Sequence, residues 1–295
     1  MMKKINIIYW NSDNFGDVLN PVLIEELSGI KTQYKNIDLS RKQRLTILVD
    51  AVSRFKFTEA KTIVLPWQRT LTAIGSIMSW AQSNSVVWGS GFMNKTDRFA
   101  GGKTLAVRGK LTDQKLKEDG FPSCSIYGDP ALLLPLWLEG SPEKKYRLGL
   151  IPHWKEVDYF KQRFGEKYKI VDLRTRDIQR VVEEITSCEY ILSSSLHGII
   201  VGHAYNIPSL WIKHGYIDTD GFKFHDYFSS VDIPTYDGFE DLDGILRSED
   251  SWIQLMKDNK DKTLINNSLE RIQEDLLRVA PFGLKDKYKI HSTDR

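Results

Sequence analysis

Histidine and hydroxyl side chains come together at one point of the chain, in the stretch SSSLHGIIVGHAYNIPSLW, residues 193–211. Three serines follow an apolar run, and His197 precedes a second apolar run that predicts a helix. Free N–H groups at a helix start, with hydroxyls around them, can bind a phosphate or a carboxylate. A histidine there can contact that anion or deliver a proton. We therefore assign His197 as a catalytic candidate and Ser194, Ser195 and Gly198 as binding candidates, although serines here also serve as helix caps.

A second candidate stands near the N-terminus, where the apolar run 5–10 leads into NFGD, residues 14–17. Gly16 permits a tight turn, and Asp17 is placed either to cap the following helix or to act as a catalytic carboxylate. We take Asp17 as the second catalytic candidate and Asn14 as a binding candidate.

Cationic side chains follow other apolar runs. Arg108 stands near the end of one, where a guanidinium is unfavourable unless it meets an anion or pairs with a carboxylate, for which Asp129 is a candidate. His153 ends another run, and Lys223 stands in the polar stretch KFHDY. If these ends converge, Arg108, His153 and His197 form an anion site in a cleft, and Lys223 adds a further cation.

Two other features give weaker signals. His203 lies six residues after His197, so the two cannot share one helix face; we expect His203 to pack and no metal ion to bind. The glycine pair of WGSGF, residues 88–92, lets a backbone approach a ligand. It lacks the third glycine and the acidic residue of a dinucleotide site, and we expect no cofactor.

Short β-branched runs alternate with amphipathic stretches along most of the chain, which is typical of parallel sheets covered on both faces. In such sheets, ligands bind beyond the carboxyl ends of the strands, where the polar candidates stand. The predicted strands are 5–10, 62–66, 85–89, 103–109, 147–153, 169–173, 190–194 and 209–213, and the predicted helices include 18–28, 111–119, 155–164 and 177–187.

The alternation breaks at Gly140, Ser141 and Pro142, which are typical of a linker, and then resumes. We therefore predict an α/β fold of two Rossmann-like doubly wound halves, residues 1–140 and 145–245. Apolar residues recur at helical spacing between Ile265 and Val279, and we expect the helical segment 250–295 to pack back on the first half.

Composition narrows the class of protein. The 295 residues carry a formal net charge of +2, with 41% hydrophobic and 27% charged residues, which does not favour a nucleic-acid binder. Two cysteines are too few for a disulfide framework. The first apolar run is too short for a signal-peptide core, and no run reaches eighteen apolar residues. We expect a cytoplasmic protein with at most peripheral association at the inner membrane face.

Seven short motifs carry a family resemblance: NFGD, WGSGF, AVRGKLT, YGDPALLLP, IPHW, the SSSLHG stretch and KFHDY. In this order they resemble the polysaccharide pyruvyl transferase family. The resemblance implies a two-halved fold of the glycosyltransferase-B kind. It also implies transfer of a pyruvyl group from phosphoenolpyruvate to a hexose of an exopolysaccharide or capsular repeat, possibly lipid-linked, with formation of a cyclic ketal and release of phosphate.

The family's anion-binding and catalytic positions correspond to Arg108, His153 and His197, with Asp17 in the early motif. The resemblance implies that His197 is a general acid or a phosphate ligand and that Asp17 is the base for the acceptor hydroxyl. Many members carry arginine where this chain has Ser195, and Lys223 is our candidate for the replacing cation. The first half would then receive the acceptor and the second half phosphoenolpyruvate.

Two other functions stay open. One is a nucleotide-sugar-dependent glycosyltransferase of the same architecture, and the other is a non-catalytic scaffold in polysaccharide assembly. Tryptophans of the first half are candidates for stacking on sugars, although packing is the alternative. They are Trp10, Trp67, Trp80 and Trp88.

Overall fold

The structure is a computed structural model that describes residues 4–55, 57–65, 67–141 and 143–289. Its strands form two sheets in which every pairing is parallel. The first sheet has the order β2-β1-β3-β4-β5 and the second the order β7-β6-β8-β9. The strands are β1 (Ile5–Ile8), β2 (Thr32–Tyr34), β3 (Thr70–Thr72), β4 (Ser85–Trp88), β5 (Lys103–Ala106), β6 (Tyr146–Ile151), β7 (Lys169–Ile170), β8 (Cys188–Ser193) and β9 (Ser209–Trp211).

Helices form most of the connections between the parallel strands. They are α1 (Phe15–Ser28), α2 (Arg41–Ser53), α3 (Phe57–Ala60), α4 (Lys110–Glu118), α5 (Val157–Phe164), α6 (Ile178–Thr186), α7 (Leu196–Ala204), α8 (Phe222–Ser230), α9 (Leu242–Ile245), α10 (Glu249–Asp258) and α11 (Leu269–Arg278). A largely buried 3₁₀ segment, Pro130–Leu136, packs against α1, α7 and α11. The prediction of an α/β fold with two Rossmann-like halves is confirmed, while the domain boundaries drawn from the sequence stay predictions.

Two strands of the first sheet differ from the sequence prediction. The predicted strand at 62–66 is represented by a single bridge between Asn36 and Ile63, and Pro66 lies outside the described residues. In its place β3 pairs with β1, and β2 forms the edge of the sheet. Both strands have three residues and include threonine or glutamine, so they lack the apolar run on which the prediction relied.

Each sheet reverses its strand order at one point. In the first sheet β2 and β3 flank β1, and in the second β7 and β8 flank β6. The crevice beyond the carboxyl ends of strands at such a reversal is where ligands bind in open α/β folds. The two crevices face each other here, because the backbone N–H of Phe15, which follows β1, donates to the carbonyl of Leu173, which follows β7 (2.8 Å).

The C-terminal segment divides between the two halves. Trp252 of α10 packs on Tyr190 of the second sheet, with ring centroids 5.5 Å apart. Helix α11 crosses to the first half, where the Trp88 indole N–H donates to the carbonyl of Leu276 (2.9 Å). The expected bracing helix is therefore α11, whereas α10 packs on the second half and Ile265 precedes α11. Among the described residues, no helix is both long and apolar enough to cross a membrane.

Candidate active site

A cavity of about 450 Å³ lies between the two sheets, at the crevices just described. Most of its wall comes from the residues that follow β1, β3, β6 and β8. Six of the candidates from the sequence line it: Asn14, Asp17, His153, Ser195, His197 and Lys223. Arg108, Ser194 and Gly198 are buried behind the wall instead.

His197 lies in the first turn of α7 and reaches across to the first half. Its imidazole packs directly on Gly16, where a Cβ would come within 2.2 Å of Nδ1. This contact explains why a glycine must precede Asp17, and it places the two catalytic candidates on adjoining parts of the wall. The buried Nε2 has no hydrogen-bond partner among the described residues. Burial, together with the charges of Lys223 and Arg108, lowers the pKa of His197 to about 4, so the ring is neutral at pH 7.

Asp17 lies in the first turn of α1, but it does not cap that helix. The cap is Asn14, whose side-chain oxygen accepts the N–H of Gly16 (3.1 Å). Asp17 is therefore left to line the cavity. Burial raises the pKa of this carboxyl to about 7, which suits a group that exchanges protons near neutral pH.

The serines before α7 build the wall rather than cap the helix. No side chain caps α7. Ser193 Oγ accepts the backbone N–H of Ser195 (3.0 Å) and lies within hydrogen-bond distance of the carbonyls of Ile151 and Ser195 (2.7 and 2.8 Å), to one of which it donates. Ser194 Oγ accepts the backbone N–H of His153 (2.9 Å) and donates to the buried Glu156 carboxylate. Ser195 is the serine of the three that lines the cavity.

His153 follows β6 and lines the cavity next to Trp154. Burial lowers the pKa of its imidazole to about 3, and the charges of Lys223 and Lys155 act in the same direction. Both histidines are thus neutral at pH 7. A bound dianion would favour their protonated forms, because an opposite charge nearby stabilises the imidazolium.

Within the described part of the chain, no lysine or arginine other than Lys223 lines the cavity. It belongs to α8 and is 5% exposed, and it has no carboxylate within ion-pair distance among the described residues. Burial lowers the pKa of its amine to about 8, with the Arg108 charge acting in the same direction. The ammonium lies over the Phe224 ring (5.4 Å from the centroid), but without a carboxylate its burial is unfavourable, so an anion in the cavity would relieve that cost.

Arg108, in contrast to Lys223, is paired with a carboxylate. Its guanidinium is fully buried and pairs with Asp226 of α8, with Nε and Nη2 each 2.9 Å from Oδ2. Nη1 donates to the hydroxyl of Ser76, which lines the cavity (2.6 Å), and Nη2 donates to the carbonyl of Phe92 (2.6 Å). The partner expected from the sequence was Asp129. That residue instead accepts the backbone N–H of Ala131 at the start of the 3₁₀ segment (2.9 Å).

Motif glycines make room for these contacts. A Cβ on Gly91 would come within 2.6 Å of the Arg108 guanidinium, and one on Gly109 would come within 1.8 Å of the Asp226 carbonyl. The group that closely approaches Gly91 is therefore the Arg108 side chain and not a ligand, in contrast to the expectation for WGSGF. A Cβ on Gly198 would come within 2.4 Å of Ser193 Oγ, so this glycine serves the packing of α7 on the second sheet.

The tryptophan candidates separate into two groups. Trp10 and Trp80 line the cavity, and Trp10 meets Trp154 from the other half with ring centroids 5.7 Å apart. Trp88 is fully buried and packs on Phe282, and Trp67 does not line the cavity. His203 packs as predicted, with Nδ1 3.0 Å from the Tyr227 hydroxyl.

Sequence reasoning missed several residues of the site. Ser76 follows β3, a strand that was not predicted. Trp154 directly follows His153, and its position after β6 was a usable signal. Glu156 binds Ser194 and Asp226 binds Arg108. These partners are 38 and 118 residues apart in the sequence, so no local pattern indicates the contacts.

Comparison with known proteins identifies the family. The model of the polysaccharide pyruvyl transferase family matches residues 14–216, which is more than half of the chain. The chain belongs to the polysaccharide pyruvyl transferase family. The match includes Asp17, Arg108, His153 and His197, whereas Lys223 follows it.

Two individual proteins are similar to this pyruvyl transferase family member. An uncharacterized protein of Acanthamoeba polyphaga mimivirus is 30% identical over 230 residues, which cover 73% of this chain and 80% of the viral protein. The crystal structure of the glycosyltransferase SnogD from Streptomyces nogalater aligns over 93% of this chain and 95% of its own, with 10% identity and a TM-score of 0.37.

Proposed function

We propose that this protein transfers the pyruvyl group of phosphoenolpyruvate to a hexose of an exopolysaccharide or capsular repeat, forms a cyclic ketal and releases phosphate. One observation carries the proposal. A buried lysine without a carboxylate partner lines the same cavity as two neutral histidines and a carboxyl group whose pKa is raised to about 7. Family membership supports pyruvyl transfer to a polysaccharide in general terms.

The donor would bind on the side of the second half. Phosphoenolpyruvate carries a phosphate and a carboxylate, and Lys223, His153 and the uncapped first turn of α7 offer donors to both. Lys223 would take the place of the arginine that many family members have at the Ser195 position. Arg108 would act indirectly, by orienting the Ser76 hydroxyl and by adding positive charge behind the wall.

The reaction then needs three proton transfers within reach of the donor. His197, protonated once the dianion is bound, would give its proton to the methylene carbon, and electron density would leave the adjacent carbon. A sugar hydroxyl would attack that carbon and lose its proton to Asp17. A second hydroxyl of the sugar would then displace phosphate, with cleavage of the bond between carbon and the phosphate oxygen, and its proton would leave with phosphate.

The acceptor would enter from the side of the first half. Trp10 and Trp154 are 42% and 36% exposed, and they offer aromatic faces at the cavity. Sugar rings stack on such faces through their apolar C–H surfaces, and the hydroxyls stay free for Asp17. No metal ion or organic cofactor takes part in this scheme.

The test is to incubate the protein with phosphoenolpyruvate and a panel of α- and β-linked hexosides. We expect phosphate release together with a matching mass gain on one sugar. His197→Ala should abolish both signals. His214→Ala should retain them, because His214 does not line this cavity and stacks on Tyr159 instead. Phosphate release without a mass gain would contradict the transfer.

Binding experiments separate the other functions. In a thermal-shift assay, stabilisation by nucleotide sugars and not by phosphoenolpyruvate would favour a glycosyltransferase. A scaffold would leave polysaccharide pyruvylation in cells unchanged when His197 is replaced by alanine. Either result would overturn the proposal.

A further inference from the structure

Helix α2 is poorly covered by the rest of the protein. Of its 13 residues, Ala51 is the buried one. Leu45, Leu48, Val49 and Val52 are 64%, 45%, 55% and 76% exposed. The helix packs mainly on the short helix α3. A folded protein does not normally leave four neighbouring aliphatic side chains of one helix in water, so this face marks an interaction site.

The apolar exposure continues beyond the helix. Phe55 and Phe57 are 80% and 52% exposed and contact each other, with ring centroids 6.3 Å apart. Trp67, in the segment that follows α3, is 77% exposed. Beside α3 lies an apolar groove of about 1020 Å³, whose lining includes Phe57 and Leu65. Exposed aliphatic and aromatic side chains therefore recur along the chain from Leu45 to Trp67.

The same stretch is basic. Between Arg41 and Lys61, five described basic side chains stand against the acidic residues Asp50 and Glu59. Asp50 is occupied by Arg54 in the next turn, 3.5 Å away. Arg41 and Lys42 are exposed at the start of α2, and no described carboxylate lies within ion-pair distance of either. The surface thus combines unpaired positive charge with apolar side chains.

We propose that this basic-apolar surface, formed by α2, α3 and Trp67, binds the face of an anionic lipid bilayer. Basic side chains would meet the phosphate headgroups, and the aliphatic and aromatic side chains would enter the boundary of the acyl chains. The groove beside α3 offers an apolar space for a lipid chain. The proposal is independent of the reaction, because lipid binding is measured without substrates.

Co-sedimentation with vesicles tests the apolar part of the surface. We expect the wild-type protein to sediment with vesicles of phosphatidylcholine and phosphatidylglycerol and much less with phosphatidylcholine alone. Val52→Asp should lower the partition coefficient about tenfold, because it places a charge in the acyl boundary. Tyr216→Asp is the matched control, since Tyr216 is also 76% exposed but lies in the second half, and it should change binding less than about twofold.

A second pair of variants tests the charge. Replacing Arg41 and Lys42 together by glutamine should weaken binding about fivefold for each residue removed. The same change at Lys257 and Lys260, exposed lysines of the C-terminal segment, should have little effect. Equal binding to both kinds of vesicle, or binding to neither, would overturn the proposal. A dimer in solution that Val52→Asp dissociates would also overturn it, because a second copy would then cover the surface.

Discussion

Two buried cations, Arg108 and Lys223, lie close enough to lower the pKa of Lys223, yet their surroundings differ in every respect that matters for ligand binding. All of the contacts of Arg108 are internal: a carboxylate, a hydroxyl and a backbone carbonyl. Lys223 is also buried, but it lines a cavity. The difference separates a cation that holds the two halves together from one that is available to an anionic substrate.

Family motifs alone do not reveal this difference. Arg108 lies inside the residues that match the family, and Lys223 lies outside them. Arg108 thus influences the cavity only indirectly, through Ser76, whereas Lys223 lines the cavity itself.

The strongest test is to break the buried pair. Asp226→Asn removes the charge that neutralises Arg108 and disturbs two hydrogen bonds from Thr112 (both 2.7 Å). Because an unpaired guanidinium then stays buried, we expect the free energy of unfolding to fall by about 3–5 kcal/mol. Urea denaturation measures this loss. Asp232→Asn is the control, since its ion pair with Lys110 is exposed and should contribute less than about 1 kcal/mol.

Lys223→Met should show the opposite pattern. The variant removes a buried charge without a partner, so the free energy of unfolding should stay within about 1 kcal/mol of the wild-type value or rise. The KM for phosphoenolpyruvate should increase about 10- to 100-fold, because a charged hydrogen bond to the donor is lost. Lys155→Met is the control, because that exposed lysine pairs with Asp218. A large loss of stability with an unchanged KM would assign Lys223 to the structure and not to binding.

The pH dependence of kcat/KM for the donor gives a third test. Asp17 must lose its proton to act as a base, so the rate should rise with pH up to about 7. Lys223 loses its charge above about pH 8, and donor binding should then weaken. His197 must also hold a proton to act as the acid, so we expect a narrow bell-shaped profile whose acidic limb belongs to Asp17 and whose alkaline limb belongs to Lys223 and His197 together. Lys223→Arg should move the alkaline limb to higher pH and leave the acidic limb in place.

Stability should also respond to the ionisation of Asp17. Its carboxyl has a higher pKa in the folded protein than in the unfolded chain, so the folded state holds the extra proton between about pH 4 and pH 7. Wild-type stability should therefore fall, relative to Asp17→Asn, as the pH rises through that range. Thermal unfolding of both proteins across the range measures the difference, and parallel curves would contradict a buried carboxylate.

The smallest effect concerns Glu156. Its charge raises the pKa of Lys223, and its carboxylate orients Ser194, which in turn fixes the backbone of His153. Glu156→Gln keeps the shape and removes the charge. We expect less than about a threefold change in kcat, with the alkaline limb moved by a fraction of a pH unit to lower values. An unmoved limb would show that the two groups are not coupled.

The sequence was sufficient for the parts of the site that follow long apolar strands. His153 and His197 follow β6 and β8, whose runs of β-branched and aliphatic residues are easy to recognise, and Asp17 follows β1. The rule that ligands bind at the carboxyl ends of parallel strands then brought these residues together.

Two kinds of feature could not be obtained in this way. Strand β3 is three residues long and is held by its neighbours in the sheet, so Ser76 went unnoticed. The pairing of Arg108 with Asp226 joins residues 118 positions apart, and it depends on how α8 packs on α4. Tertiary packing determines such contacts, and the local sequence pattern does not predict them.

The buried pair also bears on how a polymer reaches the chemistry. Arg108 follows β5 and Asp226 belongs to α8, so drawing the two halves apart would break this buried ion pair and its hydrogen bonds. If the two halves stay together during the proposed reaction, substrates would enter through a mouth beside the exposed rings of Trp10 and Trp154. A polysaccharide of any length could then react if one of its sugar units fits through that mouth while the rest stays in solvent. The width of the mouth, and not the length of the polysaccharide, would limit which acceptors are used.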